Sequence, residues 1–300
     1  MRPLTTFTLI TLGAAAIFYA FKKLAFAETI PPQYSTPFNK NQTQKNRKTS
    51  PNESVNIADS TAETLRLMFV GDIMSQSQQI ASAVQSGGSH NYTPCFRYIR
   101  PILEQADLAF GNLECTLRSE PPFTGYPNFR SPDQLGEALR WAGFDVLVTA
   151  NNHALDGGLN GLTHTLDVLK KNRFLTTGTF RNERERAIFY PKIIYKKGFK
   201  IALLNATHHT NGYRTPTPSV VNRLDIAQLK ADLKKAQAMT PDFIITFLHW
   251  GNEHKLDEDV NQRALARILH EAGSHLVIGA HPHVVQPIKN EPVKNNKKIF

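Results

Sequence analysis

Cysteine is nearly absent from this chain: Cys95 and Cys115 are its two thiols in 300 residues. They stand in no CxxC spacing, which excludes a structural zinc site. Pairing between them in an oxidising compartment stays open, because sequence does not give the separation of their Cα atoms. Repeats at a fixed period are also lacking, so a solenoid is excluded. Acidic residues are in deficit, with 25 Asp+Glu against 35 Lys+Arg and a formal net charge of +10. That balance fits either an anionic partner or a solvated basic face. No DNA- or RNA-recognition motif accompanies it and the basic residues are scattered, so nucleic acid is not the expected partner. What remains is an ordinary globular composition, 41% hydrophobic and 9% aromatic, in a chain long enough for one large core or two modest ones.

The first 63 residues differ from the rest. Arg2 precedes an uncharged, mostly apolar stretch, residues 4–21. At 1.5 Å per residue, a helix of this length is about long enough to cross a bilayer. One reading is a signal peptide, with "AFA" at 25–27 as a small-x-small cleavage site near Ala27. The other is a retained N-terminal anchor, favoured by the length of the run and by Lys22 and Lys23 ahead of "AFA". Either sends the remainder out of the cytoplasm. Residues 28–63 are rich in Pro, Ser, Thr, Asn and Gln, show no period, and read as a flexible spacer.

From residue 64 to 300, short apolar runs alternate with amphipathic stretches. The runs are "LRLMFV" (65–70), "ADLAF" (106–110), "FDVLVT" (144–149), "KIALLN" (200–205), "DFIITFL" (242–248) and "HLVIG" (275–279). Runs apolar nearly throughout are expected of strands covered on both faces. The helical patterns between them carry punctuation: Ser131 as a cap, Pro132 at the first position and Gly143 as a stop, and Gly273 ending a later one. This alternation predicts an α/β layered sheet.

The residues at the end of each run carry the chemical signal: "GDIMS", "GNLECT", "ANNHALD", "ATHHTNG", "HWGNEH" and "GAHPHV". In open α/β sheets, function gathers at the carboxyl ends of strands. Imidazoles and carboxylates collected there form an N/O ligand set suited to Zn, Mn or Fe. Each fragment alone has a plainer reading, since Asn, Asp and Gly are turn formers. In "HPH" the proline predicts fixed, extended backbone around His281 and His283. His208, His209, Asn211, Glu253 and His254 read as rim or substrate-side residues. Asp156, Gly157 and Gly158 read as the start of a helix.

Taken together and in order, "GD", "GNLE", "NNH", "HWG" and "GAHPH" resemble the CapA family of capsule and poly-γ-glutamate biosynthesis proteins. That family is itself similar to the calcineurin-like metallophosphoesterases. The resemblance runs over roughly 65–289 and includes the long segment from "RSPDQLGEALRWAG" to "LTHTLDVL". It implies a metallophosphoesterase-like layered β-sandwich with flanking helices and a site at the C-terminal ends of the strands. It also implies one or two divalent transition-metal ions. Asp72 and His283 would hold the first ion, and Asn152, His249 and His281 the second. Glu114, or Asn112 at the position where the superfamily carries a bridging Asp, would lie between them. His153 would protonate the leaving oxygen. The implied chemistry is metal-assisted hydrolysis of a phosphoester or a γ-glutamyl amide. The implied partners are an anionic polymer such as poly-γ-glutamate, the membrane, and a capsule synthesis or export complex. Two departures weaken the first ion's site: Met74 stands where a His is usual, and Asn112 where an Asp is. They leave room for a non-catalytic, polymer-guiding protein with a structural or vestigial metal. The closing "NNKKIF" reads as a strand just starting, as if the domain were truncated at Phe300.

Overall fold

In the computed structural model, backbone is described for residues 5–12, 15–22, 64–293 and 297–299, and side chains for 64–290. The two N-terminal pieces run as antiparallel strands, the second paired with the strand that starts at Thr64. The expected apolar helix over 4–21 belongs to the part whose side chains lie outside the described residues, and the spacer at 28–63 lies outside them altogether. Among the described residues, no helix is long and apolar enough to cross a membrane.

Two sheets form the centre. The first aligns β1 (Thr64–Ile73), β2 (Leu108–Leu113), β3 (Val146–Val148) and β4 (Leu175–Thr177), all parallel. The second aligns β5 (Lys192–Lys196), β6 (Phe199–Thr207), β7 (Phe243–His249) and β8 (Leu276–Ala280); only β5 is antiparallel. Alternation along each strand sorts side chains to two faces. Leu67, Phe69, Phe110 and Val148 of the first sheet meet Ile201, Leu203, Ile245 and Phe247 of the second in one core. Phe69 and Phe110 stack at 4.6 Å between centroids. The opposite faces are covered by helices. Met68, Ala109 and Leu147 pack under Leu135 and Leu139 of α1 (Gln134–Ala142) and Val168 and Leu169 of α2 (Gly158–Lys171). Ala202, Leu204 and Ile244 pack under Leu229 and Leu233 of α3 (Ile226–Ala238) and Leu265 and Leu269 of α4 (Val260–Glu271). The result is helix, sheet, sheet, helix. Strands covered on both sides explain the unbroken apolar runs, each fully buried Leu or Phe contributing about 1.5–3 kcal/mol.

All six expected strands form, and the α/β layering stands. One local expectation fails. Ser131 does not cap α1; Arg130–Pro132 instead pairs in parallel with Thr116–Arg118, and the helix starts after Asp133. That pairing claims the backbone which a cap would need. Gly143 does end α1, at φ 103°.

Candidate metal centre

Parallel strands deliver their carboxyl ends to one edge. Register sets Asp72 opposite Asn112 across β1 and β2, and His249 opposite Ala280 across β7 and β8. Because the two sheets face each other, the tips of the first (Asp72, Asn112, Glu114, Asn152) meet those of the second (His249, His281, His283).

The contacts are close. Asp72 Oδ1 accepts from Asn112 Nδ2 at 2.8 Å, and Asp72 Oδ2 lies 2.9 Å from His283 Nδ1. The backbone N–H of His281 also donates to Asp72 Oδ2, at 3.0 Å. His249 Nε2 lies 3.5 Å from Glu114 Oε1 and 2.8 Å from the Asn152 amide oxygen. His283 Nε2 is 4.0 Å from the same Glu114 oxygen. Two groups able to hold a cation emerge: Asp72, Glu114 and His249, and Glu114, His281 and His283. Within each, the ligand atoms lie within 4.8 Å of one another. Glu114 belongs to both, as a bridging role requires. The grouping puts His249 beside Asp72 and pairs His281 with His283.

The donor set fits a divalent cation on three observations. Glu114 Oε1 and His281 Nδ1 are buried and have no hydrogen-bond partner, which is costly unless something else satisfies them. Glu114 is fully buried, and burial together with the charge of Asp72 pushes its carboxyl up to about 11. Two buried carboxylates at this spacing ionise together only with positive charge between them. Burial raises Asp72 as well, but its hydrogen bonds from His283 and the Asn112 amide, with the charge of His283, outweigh it and hold its pKa far below the usual range. Burial lowers His281 to about 4 and His249 well below its ordinary value, so both imidazoles are neutral, as ligands must be. The hydrogen bond to Asp72 raises His283.

The "HPH" turn differs from the extended form expected of it. His281 and His283 have φ of 96° and 57°, in the left-handed region. Such conformations cost about 1–3 kcal/mol each and persist where surrounding contacts hold them. Here Asp72 holds the His281 N–H, and the His254 N–H holds the Pro282 carbonyl at 2.8 Å. The turn aims both imidazoles at Glu114 rather than along the strand.

His153 is buried, its Nδ1 2.7 Å from Asp156 Oδ2 and its ring edge-on to Phe129 at 4.7 Å. The rim residues lie outside the "HPH" imidazoles. His209 is half-buried, with its ring 5.3 Å from that of His281, and the exposed His254 ring is 6.0 Å from that of His283. His208 and Asn211 are exposed beside His209, and the exposed Glu253 lies near enough for its charge to act on His281 and His283.

Asn112 is a connector. Its Nδ2 faces Asp72, Glu114 and His249 Nδ1 (3.1 Å), while its Oδ1 accepts from Asn151 Nδ2. Asn151 is a buried residue of the candidate site that sequence reasoning passed over. Besides Asn112, its Nδ2 reaches the Leu113 carbonyl at 2.7 Å, and its Oδ1 accepts the His153 N–H at 3.1 Å. One amide thus ties the "NNH" turn to the "GNLE" turn. The only trace of this in the sequence is the doubling of Asn in "NNH".

The sequence matches a family of known proteins. The family model described as "Bacterial capsule synthesis protein PGA_cap" matches residues 66–300. The chain belongs to that family. It is 29% identical over 255 residues to the "PGA biosynthesis protein CapA" of Bacillus subtilis, covering 79% of this chain and 62% of that protein. It is likewise 29% identical over 244 residues to the "Capsule biosynthesis protein CapA" of Bacillus anthracis, covering 75% of this chain and 56% of that protein. This PGA_cap chain therefore spans less than two thirds of the length of either relative.

Proposed function

We propose that this PGA_cap protein acts outside the cytoplasm, in capsule or poly-γ-glutamate biosynthesis or export, through a metal-dependent hydrolase site. One observation carries the hydrolase reading. Glu114 Oε1 is buried without a hydrogen bond, between the imidazoles of His249 and His283, at the junction of two ligand groups. Asp72, Glu114, His249, His281 and His283 would hold one or two ions, with Asn152 completing the set. The N/O donor chemistry suits Mn, Zn or Fe. A cation held there supplies Lewis acidity, polarising a substrate oxygen and making water a nucleophile near neutral pH.

The chain's own residues supply the rest. With a cation between them, Asp72 and Glu114 would bring negative charge to a buried pocket, and neutral His249 and His281 would add ligand nitrogens without adding charge. His153 gives a proton to the leaving oxygen, a contribution typically worth about 10²–10⁴-fold. His208, His209, Glu253 and His254 form the polar lip across which an elongated substrate would lie. The substrate class is a phosphoester or a γ-glutamyl amide. The partners are an anionic polymer such as poly-γ-glutamate, the membrane through residues 4–21, and a capsule synthesis or export complex.

A second reading has specific support in the net charge of +10 and in Met74 and Asn112, which replace expected ligands. It is a polymer-guiding protein whose metal is structural. The two separate in one experiment on the full chain, reconstituted with Mn or Zn. The hydrolase reading expects about one to two metals per chain and turnover of a phosphodiester or a γ-glutamyl peptide, with His153→Ala keeping the metal and losing turnover. A wild type that turns over neither substrate, yet binds polyglutamate in a salt-sensitive way, establishes the second reading. A chain that takes up no metal sinks the hydrolase reading and leaves the second with a vestigial site.

A further inference from the structure

Asp232 sits in the buried stripe of α3, between Leu229 and Leu233, where a core-facing helix calls for an apolar side chain. Its Oδ2 accepts from Arg186 Nη2 at 2.7 Å and its Oδ1 from Gln228 Nε2 at 3.1 Å. Arg186 belongs to the short helix Glu183–Phe189, and its side chain is 18% exposed. Its Nε donates to the Asn222 amide oxygen at 2.7 Å, and its guanidinium lies over the Tyr190 ring at 4.8 Å. A buried ion pair is seldom worth more to stability than apolar residues of the same volume, so stability does not account for this one. What the pair achieves is orientation. The guanidinium is held on three sides, by Asp232, Asn222 and the Tyr190 face, while Nη1 makes no hydrogen bond among the described residues.

This guanidinium lines a cavity of about 320 Å³ on the helix-covered side of the second sheet. The volume is at the lower end of the about 300–1,000 Å³ typical of small-molecule sites. None of the lining residues is a candidate metal ligand. Charge of both signs is left over around it. Arg223 donates Nη1 to Thr210 Oγ1 and Nη2 to the His208 carbonyl, both neutral, so its charge is unmatched. Asp225 accepts the Gln228 N–H at 2.7 Å with Oδ1 alone, and Glu183 makes no hydrogen bond or ion pair among the described residues. A bare anion in the cavity would face Glu183 and Asp225, and a bare cation would face Arg186 and Arg223. A molecule carrying both charges satisfies all four. Glu183 and Arg186 are three apart on one helix, with Cβ atoms about 5–6 Å from each other, so the two charges of the ligand must lie close together. We propose that the cavity binds an α-amino acid with an aliphatic side chain. Its carboxylate meets Nη1 of Arg186, its ammonium turns to Glu183 and Asp225, and its side chain lies against the apolar wall of Ala206, Val221 and Leu229.

Isothermal titration calorimetry on the full chain tests this with L-leucine and L-valine as probes. Acetate and methylammonium serve as controls that carry one charge each. The expected result is saturable binding of at least one amino acid, with a dissociation constant below about 1 mM, and binding of either control at least about 10-fold weaker. Glu183→Gln changes an exposed side chain that nothing in the fold leans on, and it should weaken amino-acid binding about 10-fold or more, the worth of one hydrogen bond to a charged group. Arg186→Lys keeps a positive charge beside Asp232 but loses the planar fork, and should weaken it at least as much. A wild type that binds neither amino acid at about 10 mM overturns the proposal without any variant having to fold. So does acetate binding as tight as that of the amino acids and indifferent to Glu183→Gln, which would make the cavity a plain anion site. Amino-acid binding unchanged in both variants overturns it as well, since the ligand would then sit elsewhere.

Discussion

At the scale of single residues, Asn112 stands where the resemblance implies a bridging aspartate. An aspartate there would be a third carboxylate beside Asp72 and Glu114. The amide donates to both and accepts from Asn151, so the pocket closes with two carboxylates rather than three. Asn112→Asp should therefore move two quantities in opposite directions. The metal-free protein should lose about 1–3 kcal/mol, the cost of stranding buried polar groups. The stabilisation added by Mn or Zn should rise, because the cation then offsets one more negative charge. Urea denaturation with and without metal measures both. A variant as stable as wild type without metal would show that Asn112 is not the donor that Asp72 depends on. Residue roles of this kind were the least legible part of the sequence. Asn and Asp belong to turns in most proteins, so Asn151 and Asp156 carried turn meanings and Asn112 that of a replaced bridging Asp, where the structure shows hydrogen bonds. The histidines stood out in the sequence because nothing about a turn calls for them at a strand end; Asp72, a turn former by itself, stood out only in their company.

At the scale of elements, the site depends on a crossing between the sheets that the sequence did not advertise. Asn205 lies mid-strand in β6, where an apolar residue is expected. Its Oδ1 takes the Ala150 N–H at 2.8 Å, and its Nδ2 gives to the Phe247 carbonyl at 2.9 Å. It therefore fastens the base of the "NNH" turn in the first sheet to β7 of the second. Gly178, at φ 114°, makes room for it: a Cβ there would stand 1.9 Å from Asn205 Oδ1 and 2.6 Å from Ala150 N. Gly178→Ala meets both a left-handed backbone and a rigid obstacle. It should cost about 2–4 kcal/mol in urea and should weaken metal binding as the turn shifts. Gly158→Ala is the control. Gly158 also has positive φ, at 61°, but nothing lies within 4 Å of its added Cβ, so the loss there should be confined to backbone strain. Equal costs at the two positions would mean that the crossing does not hold the turn. The six apolar strands were legible because both their faces are covered. Strand β5 was not, because "KIIYK" mixes exposed and buried positions at a sheet edge. Which strands shared a sheet was equally hidden, since pairing is a long-range property that apolar runs do not encode.

At the scale of the whole molecule, the candidate ligands divide between the sheets: Asp72 and Glu114 come from one, His249, His281 and His283 from the other. A cation would then tie the carboxyl edges of both sheets together, so its binding energy becomes resistance to their separation. Unfolding must release it, because the ligands lie up to 211 positions apart, from Asp72 to His283, and the open chain has no preformed site. At a free metal concentration about 100 times the dissociation constant, linkage adds about 2.7 kcal/mol. For a domain of this size each kcal/mol moves the midpoint by about 2–4 °C, so metal should raise Tm by about 5–11 °C and a chelator should return it. Removing one sheet's ligand, as in His249→Ala, should abolish most of that rise. Truncating a rim residue such as His208→Ala should leave it intact. A metal-dependent rise that survives His249→Ala would place the cation somewhere other than this seam.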